Sequence, residues 1–403
     1  MRLFAVAAVA ALALSACQEP AGVGLGLIDE EQSDPRVRVI PLAGLDTLQT
    51  PTIAQGFADP SPQSGISQSR VLAGSVVDLE FGDATAVAYI DFFREPGSTD
   101  GLVGTDILEA WVELDPSYVY GDTTTALPLE LRPIQGTWDV DSEYPPDTLF
   151  TVGAALSTTE VTASDSLRRF DVPQAFLRAN ADLLLGDAFS DGFEGFALQV
   201  PEDYLPAPGA VIGFSTFESA GAGLRLATAE DTLVFALSEV FTSIDARPPP
   251  FAPTTHIPVR SASRASLRFT VDFSSVGVTP LANARLFLPV EQSLFEVGSF
   301  VRPAPSSAFL FGVRVNDDGD EVRDPPLGEI ILTDEFVGVI ADPRQFTQTV
   351  QRIILEAGDQ DYDFYEVLPD ASPVSLDVLP VRLPVEGDPR PPRVTLTLVG
   401  ESL

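Results

Sequence analysis

Ala86-Val87-Ala88-Tyr89-Ile90-Asp91-Phe92 joins small, β-branched and aromatic side chains around one carboxylate. Such residues suit a pleated surface, and the run is bounded by breakers, so it predicts a strand. The chain is strand-like from Val71 onward. Ile107 to Leu114 reads as a second strand, with Ile107, Trp111 and Val112 expected to be buried. Leu127-Pro128-Leu129-Glu130-Leu131 alternates and runs on toward Trp138, and residues 139–147 form an acidic, proline-bearing loop. One segment departs from this pattern. Pro173 follows Asp171, apolar residues recur near helical spacing to Leu185, and Gly186 ends the run, which predicts a short helix. Strands resume at Phe193–Val200, Val211–Phe217, Gly223–Ala227 and Leu233–Leu237.

The second half echoes the first. Phe269-Thr270-Val271-Asp272-Phe273 parallels the opening stretch, and Ala284 to Pro289 parallels Ala110 to Pro116. Pro343-Arg344-Gln345-Phe346 opens a helix as Pro173-Gln174-Ala175-Phe176 does. Residues 246–258 hold Pro248, Pro249, Pro250, Pro253 and Pro258, the composition of an extended spacer. The fold class expected is all-β: two tandem jelly-roll-like β-sandwich domains, 36–245 and 259–403, joined by 246–258, each with one short helix.

The amino terminus carries an address. Arg2, the apolar run 3–14 and small Ser15 and Ala16 have the layout of a secretory signal, 1–16, too short to span a bilayer comfortably. Leu14-Ser15-Ala16-Cys17 resembles the lipobox of bacterial lipoproteins at all four positions. The resemblance implies cleavage between Ala16 and Cys17, a diacylglycerol on the Cys17 thiol and an acyl chain such as palmitate on its amine. The partner implied is the membrane, through the lipid. Gln18, rather than an aspartate, implies the outer membrane, at its periplasmic face or the cell surface. Residues 17–35, with Gly22, Gly24, Gly26 and the acids Asp29, Glu30, Glu31 and Asp34 among them, make a flexible tether. Cys17 is the single cysteine, so no intrachain disulfide is available.

Beyond the anchor, the strand order, the Ala110-Trp111-Val112-Glu113-Leu114 strand and Gly192-Phe193-Glu194-Gly195-Phe196-Ala197-Leu198 resemble the DNRLRE-type β-sandwich of secreted bacterial proteins. Gly24 to Ile28, Val71 to Ser75 and Phe81-Gly82 resemble an uncharacterised family of outer-membrane lipoproteins with such domains. These likenesses imply a jelly-roll-like fold at the cell surface without an established reaction.

The charge of −36 argues against nucleic acid as a partner, since phosphates would be repelled. All 23 basic residues are arginine, so a lysine-dependent phosphate loop is absent. His256, the one histidine, lies in the proline-rich stretch and is expected to be solvated, with no second histidine for a metal site. Two clusters remain. Asn316, Asp317, Asp318 and Asp320 surround Gly319: they read either as a Ca²⁺ loop or as an Asp-Gly hairpin turn. No other cofactor is called for. Trp138, Asp139, Asp141 and Tyr144, with Glu143, read either as a sugar-facing site or as a core tryptophan followed by a polar loop. The function expected is a non-enzymatic binding or structural role, with polysaccharide or other cell-envelope proteins as partners. The alternative is a carbohydrate-binding or glycosidase-like surface protein, which would need two facing carboxylates.

Overall fold

The computed structural model describes residues 36–49, 69–138, 147–164, 166–187, 189–216, 221–261, 265–356, 362–370, 374–385, 388 and 390–399. Two strands come first, β1 (Arg36–Pro41) and β2 (Ala43–Gln49). A first lobe follows, with β3 (Arg70–Val76), β4 (Ala84–Phe93), β5 (Glu109–Asp122), β6 (Leu127–Pro133), β7 (Ser157–Val161), β8 (Arg168–Val172), β9 (Phe196–Gln199), β10 (Gly209–Ser215), β11 (Gly223–Ala227) and β12 (Thr232–Ala246). The second lobe holds β13 (His256–Arg260), β14 (Ala265–Thr270), β15 (Leu281–Pro289), β16 (Glu296–Val297), β17 (Phe300–Val301), β18 (Ala308–Val315), β19 (Glu321–Arg323), β20 (Gly328–Leu332), β21 (Val337–Ile340), β22 (Phe364–Pro369), β23 (Val378–Arg382) and β24 (Arg393–Leu398). Every strand pair in the register is antiparallel, giving an all-β fold of sandwich type.

The opening stretch lies in β4 and touches three apolar clusters. Ala88, Ile90 and Phe92 enter the main core of the first lobe. Val87 and Tyr89, on the opposite face, enter a satellite cluster with Trp138, Ala197 and Phe241. Ala86 reaches a third cluster, between the lobes. This burial on both faces explains why the segment reads as nearly continuous apolar sequence instead of clean alternation. Pairing in the first lobe returns on itself, from β12 through β11, β5, β10, β3 and β4 back to β12. The long strands β5 and β12 make this closure possible by changing partners along their length, each near a register shift.

The register of β5 corrects the sequence expectation. Ala110, Val112 and Leu114 are buried, and Trp111 faces outward between Asp171 of β8 and Arg225 of β11. Because side chains alternate, burying Val112 requires its neighbour to face away. The predicted helix forms as two short pieces, α1 (Gln174–Ala179) and α2 (Ala181–Leu185), broken at Asn180, and α3 (Phe189–Gly192) follows. In the second lobe α4 (Arg344–Leu355) buries Phe346, Val350, Ile353 and Ile354. Both helices serve the echoed strands: the Gln174 amide donates to the Ile107 carbonyl, and the Ala284 amide donates to Thr347 Oγ1 at 2.9 Å.

The expected domain limits are not those of the strand pairing. Residues 36–49 belong to the second lobe: β1 pairs with β24, β2 pairs with β14, and Ile40 and Leu42 lie in the second core. In return, β17 pairs with β5 of the first lobe. The spacer expected over 246–258 ends in structure too, because β13 begins at His256 and pairs with β23.

A buried seam joins the lobes. Leu72, Phe81, Tyr120 and Val211 pack against Val374, Leu376 and Val378. At its centre Asp78, 1% exposed, accepts from Arg302 Nε at 2.6 Å and Nη2 at 2.9 Å, from Tyr120 Oη at 2.6 Å and from the Glu80 amide at 2.9 Å. A buried carboxylate needs such a set of partners to remain ionised. Arg302 and these hydrogen bonds hold the Asp78 carboxyl below its ordinary range despite burial, which works in the opposite direction. Arg260 Nη1 donates to the carbonyls of Phe81 and Gly82 across the same seam. Gly82 has φ +87°, and a Cβ there would fall 1.9 Å from the Arg247 carbonyl oxygen, so only glycine fits.

Candidate functional site

The sequence-derived candidates occupy very different places. Trp138 is packed: it is 7% exposed, its Nε1 donates to the Glu194 carbonyl at 3.0 Å, and its ring meets Phe150 at 5.8 Å. Such a ring offers no broad face to a sugar. Asp139, Asp141 and Tyr144 lie outside the described residues, as do Ala16 and Cys17.

Asn316 to Asp320 form the tip of the β18–β19 hairpin. Asn316 Oδ1 accepts from the amides of Asp318 at 3.1 Å and Asp320 at 2.7 Å, and the Asn316 amide donates to the Asp320 carbonyl. Gly319 supplies the positive φ that the turn needs, +88°. The asparagine oxygen that would face an ion therefore caps its own turn. Among the described residues, no group of three or more acidic, histidine or cysteine side chains converges on a point that could hold a metal.

His256 is buried, contrary to the solvated position expected for it. Its ring lies 5.2 Å from that of Phe81, inside the seam, and burial lowers its pKa. Among the carboxylates of the described residues, Asp91 and Asp377 are pushed upward. Burial raises Asp91 to about 7, with the charges of Glu239 and Glu194 adding to the effect, and burial raises Asp377 to about 6. Asp91 stands on β4 near the Trp138 cluster, since Glu194 also accepts from the Trp138 amide. Sequence inspection had no means of selecting Asp91 from 59 acids, because the selection is made by burial.

A concave feature with the size of a ligand site lies on the outer face of the second lobe. It is a cavity of about 630 Å³ over β15 and β21, within the range of small-molecule sites. Phe287, Pro289, Val337 and Val339 form an apolar floor. They share one face because Phe287 pairs with Val339 and Pro289 with Val337. Arg393, at the start of β24 and opposite Phe287, lays its guanidinium over the Phe287 ring at 4.9 Å and donates to the Pro391 carbonyl at 3.0 Å. The rim is the turn Thr333 to Phe336, which carries Asp334 and Glu335, and Glu335 pairs with Arg390 at 3.1 Å.

No family model matches the chain, and no curated protein matches it. One solved structure is similar over most of its length. It comes from Parabacteroides distasonis ATCC 8503, a protein whose secretion is itself inferred. The match covers 91% of this chain and 99% of that one, at 9% identity and a TM-score of 0.20. A likeness at that score carries no argument about fold or function.

The cavity was not legible in the sequence. Its floor comes from outward-facing residues of strands whose inward residues carried the pattern. Its rim comes from a turn about 50 residues away from the floor's β15.

Proposed function

We propose that this protein is a lipid-anchored, extracytoplasmic lipoprotein with a non-enzymatic binding role, held at the outer membrane by Cys17. The observation that carries the binding half is the cavity on the second lobe, an apolar floor under a rim of two arginines and two acids. The anchoring half rests on Leu14-Ser15-Ala16-Cys17 and on the 18 residues between Cys17 and β1. Fully extended, that tether reaches roughly 60 Å. Because β1 is an edge strand of the second lobe, the tether leads into the lobe that holds the cavity.

Metabolic labelling with palmitate and membrane fractionation test the anchor. The full chain is expected to label and to sediment with membranes, and Cys17→Ser to lose both. A Cys17→Ser protein that still labels sinks the proposal. A second reading, a carbohydrate-active protein, draws on Asp91, a carboxyl raised toward neutrality beside two other acids. Loss of polysaccharide hydrolysis in Asp91→Asn would favour it. Absence of hydrolysis by the unaltered chain removes it.

A further inference from the structure

We infer that the second-lobe cavity binds a small zwitterion with an apolar body, of the class of free amino acids and short unblocked peptides. This rests on the binding role proposed above and names its ligand class. Three features of the cavity converge on it.

The first is the cation. Arg393 is fixed by stacking on Phe287 and by one hydrogen bond to Pro391. Its remaining N–H groups take no protein acceptor among the described residues, and no carboxylate pairs with it. A guanidinium held flat with donors to spare is suited to a carboxylate. The second is the anion. Asp334 sits on the rim with neither an ion pair nor a side-chain hydrogen bond among the described residues, whereas its neighbour Glu335 is occupied by Arg390. After that pairing, one positive and one negative group remain at one cavity. A simple anion is disfavoured by Asp334 and by the field of a chain carrying −36. A simple cation is disfavoured by Arg393. A molecule with both charges satisfies both groups. The third is the floor, whose proline and valines suit an aliphatic or aromatic side chain.

The rim is also held in a costly shape. Phe336 has φ +54°, a left-handed conformation that a bulky residue rarely adopts. Its carbonyl accepts from the Val290 amide at 2.9 Å, and its ring packs on Phe295 at 6.0 Å, which keeps it there. The result is a pre-set turn that carries Asp334 at the cavity mouth, and a rigid site loses less entropy on binding.

Calorimetry on the detergent-solubilised full chain tests this, with leucyl-phenylalanine, its N-acetyl form and its C-terminal amide as probes at millimolar concentration. The free dipeptide is expected to bind, and each blocked form about tenfold more weakly. Arg393→Gln should erase the penalty for the amide, and Asp334→Asn the penalty for the acetyl group. Asp334 is exposed and Arg393 half-buried, and far-UV circular dichroism checks that each variant is folded. No binding by the free dipeptide, equal binding of the three probes, or equal behaviour of the variants would overturn the inference. Palmitate labelling of the same preparation is independent of these outcomes, so a failed ligand class leaves the anchor standing.

Discussion

At the residue scale, the chain's two tryptophans report opposite environments. Trp138 is enclosed by Phe150 and hydrogen-bonded to Glu194, whereas Trp111 is half-buried on the outer face beneath Arg169, 4.2 Å from its ring. Trp111→Phe, which leaves Trp138, should therefore emit at shorter wavelength and resist acrylamide quenching better than Trp138→Phe, which leaves Trp111. Equal quenching of the two would contradict the register of β5. The seam gives a second expectation. Arg302→Met strands Asp78 in a site from which water is excluded, and breaking a buried pair in this way costs about 3–5 kcal/mol. The paired change Asp78→Leu with Arg302→Met should cost clearly less, since neither charge is left alone. Urea unfolding of the three variants measures the difference. The core reading of Trp138 holds, whereas the environment of Trp111 could not be read from its neighbours. Ala110 to Leu114 announces a strand, but both phases of its alternation put an apolar residue inside, and only packing chooses between them.

At the element scale, the sequence identifies strands well and their partners poorly. Val37-Arg38-Val39-Ile40 alternates β-branched residues with a charge, a local signal of the strand that it forms. Its partner β24 lies at the far end of the chain, at Arg393–Leu398, and no local pattern encodes that pairing. The same limit explains β17, a two-residue strand that completes the edge of β5 in the other lobe. The helices α1, α2 and α4 were legible because proline, the apolar spacing and a terminal glycine are all local signals, though the break at Asn180 and the further turn α3 were not. The pairing of β1 and β2 has a measurable consequence. Ile40→Ala and Leu42→Ala remove side chains from the second core near a sheet edge, and each should cost about 2 kcal/mol, the low end for such truncations. Hydrogen exchange decides where the loss is felt. Faster exchange is expected in 265–270 and 393–398. Loosening confined to 69–246 would show instead that these strands serve the first lobe.

At the scale of the whole molecule, the seam and the exchanged strands make the lobes one mechanical body, and its stability should depend on pH with a definite sign. Asp91 and Asp377 are half-buried carboxyls whose folded pKa values, raised by desolvation to about 7 and about 6, lie above their unfolded ones. The folded chain therefore binds more protons between about pH 4 and 7, and stability must fall as pH rises through that window. His256 acts the other way. Its folded pKa is depressed, so its contribution is present above the unfolded value near 6.5 and is lost as pH falls below it. Two strongly displaced carboxyls outweigh one histidine, and the melting temperature should be higher at pH 5.5 than at pH 8 by about 3–6 °C. Below about pH 4 the trend reverses, because Asp78, Asp324 and Glu321 have lowered pKa values and lose their arginine partners' stabilisation on protonation. Relief of the repulsion within a chain of charge −36 would also favour acid, but that contribution is screened by salt while buried groups are screened much less. Melting curves at 0.5 M salt therefore isolate the two carboxyls. The Asp91→Asn, Asp377→Asn double variant should then be more stable than the parent at pH 8, and its remaining slope between pH 5 and 7 should have the sign set by His256. A double variant that keeps the parent's slope would show that the two carboxyls are not its source.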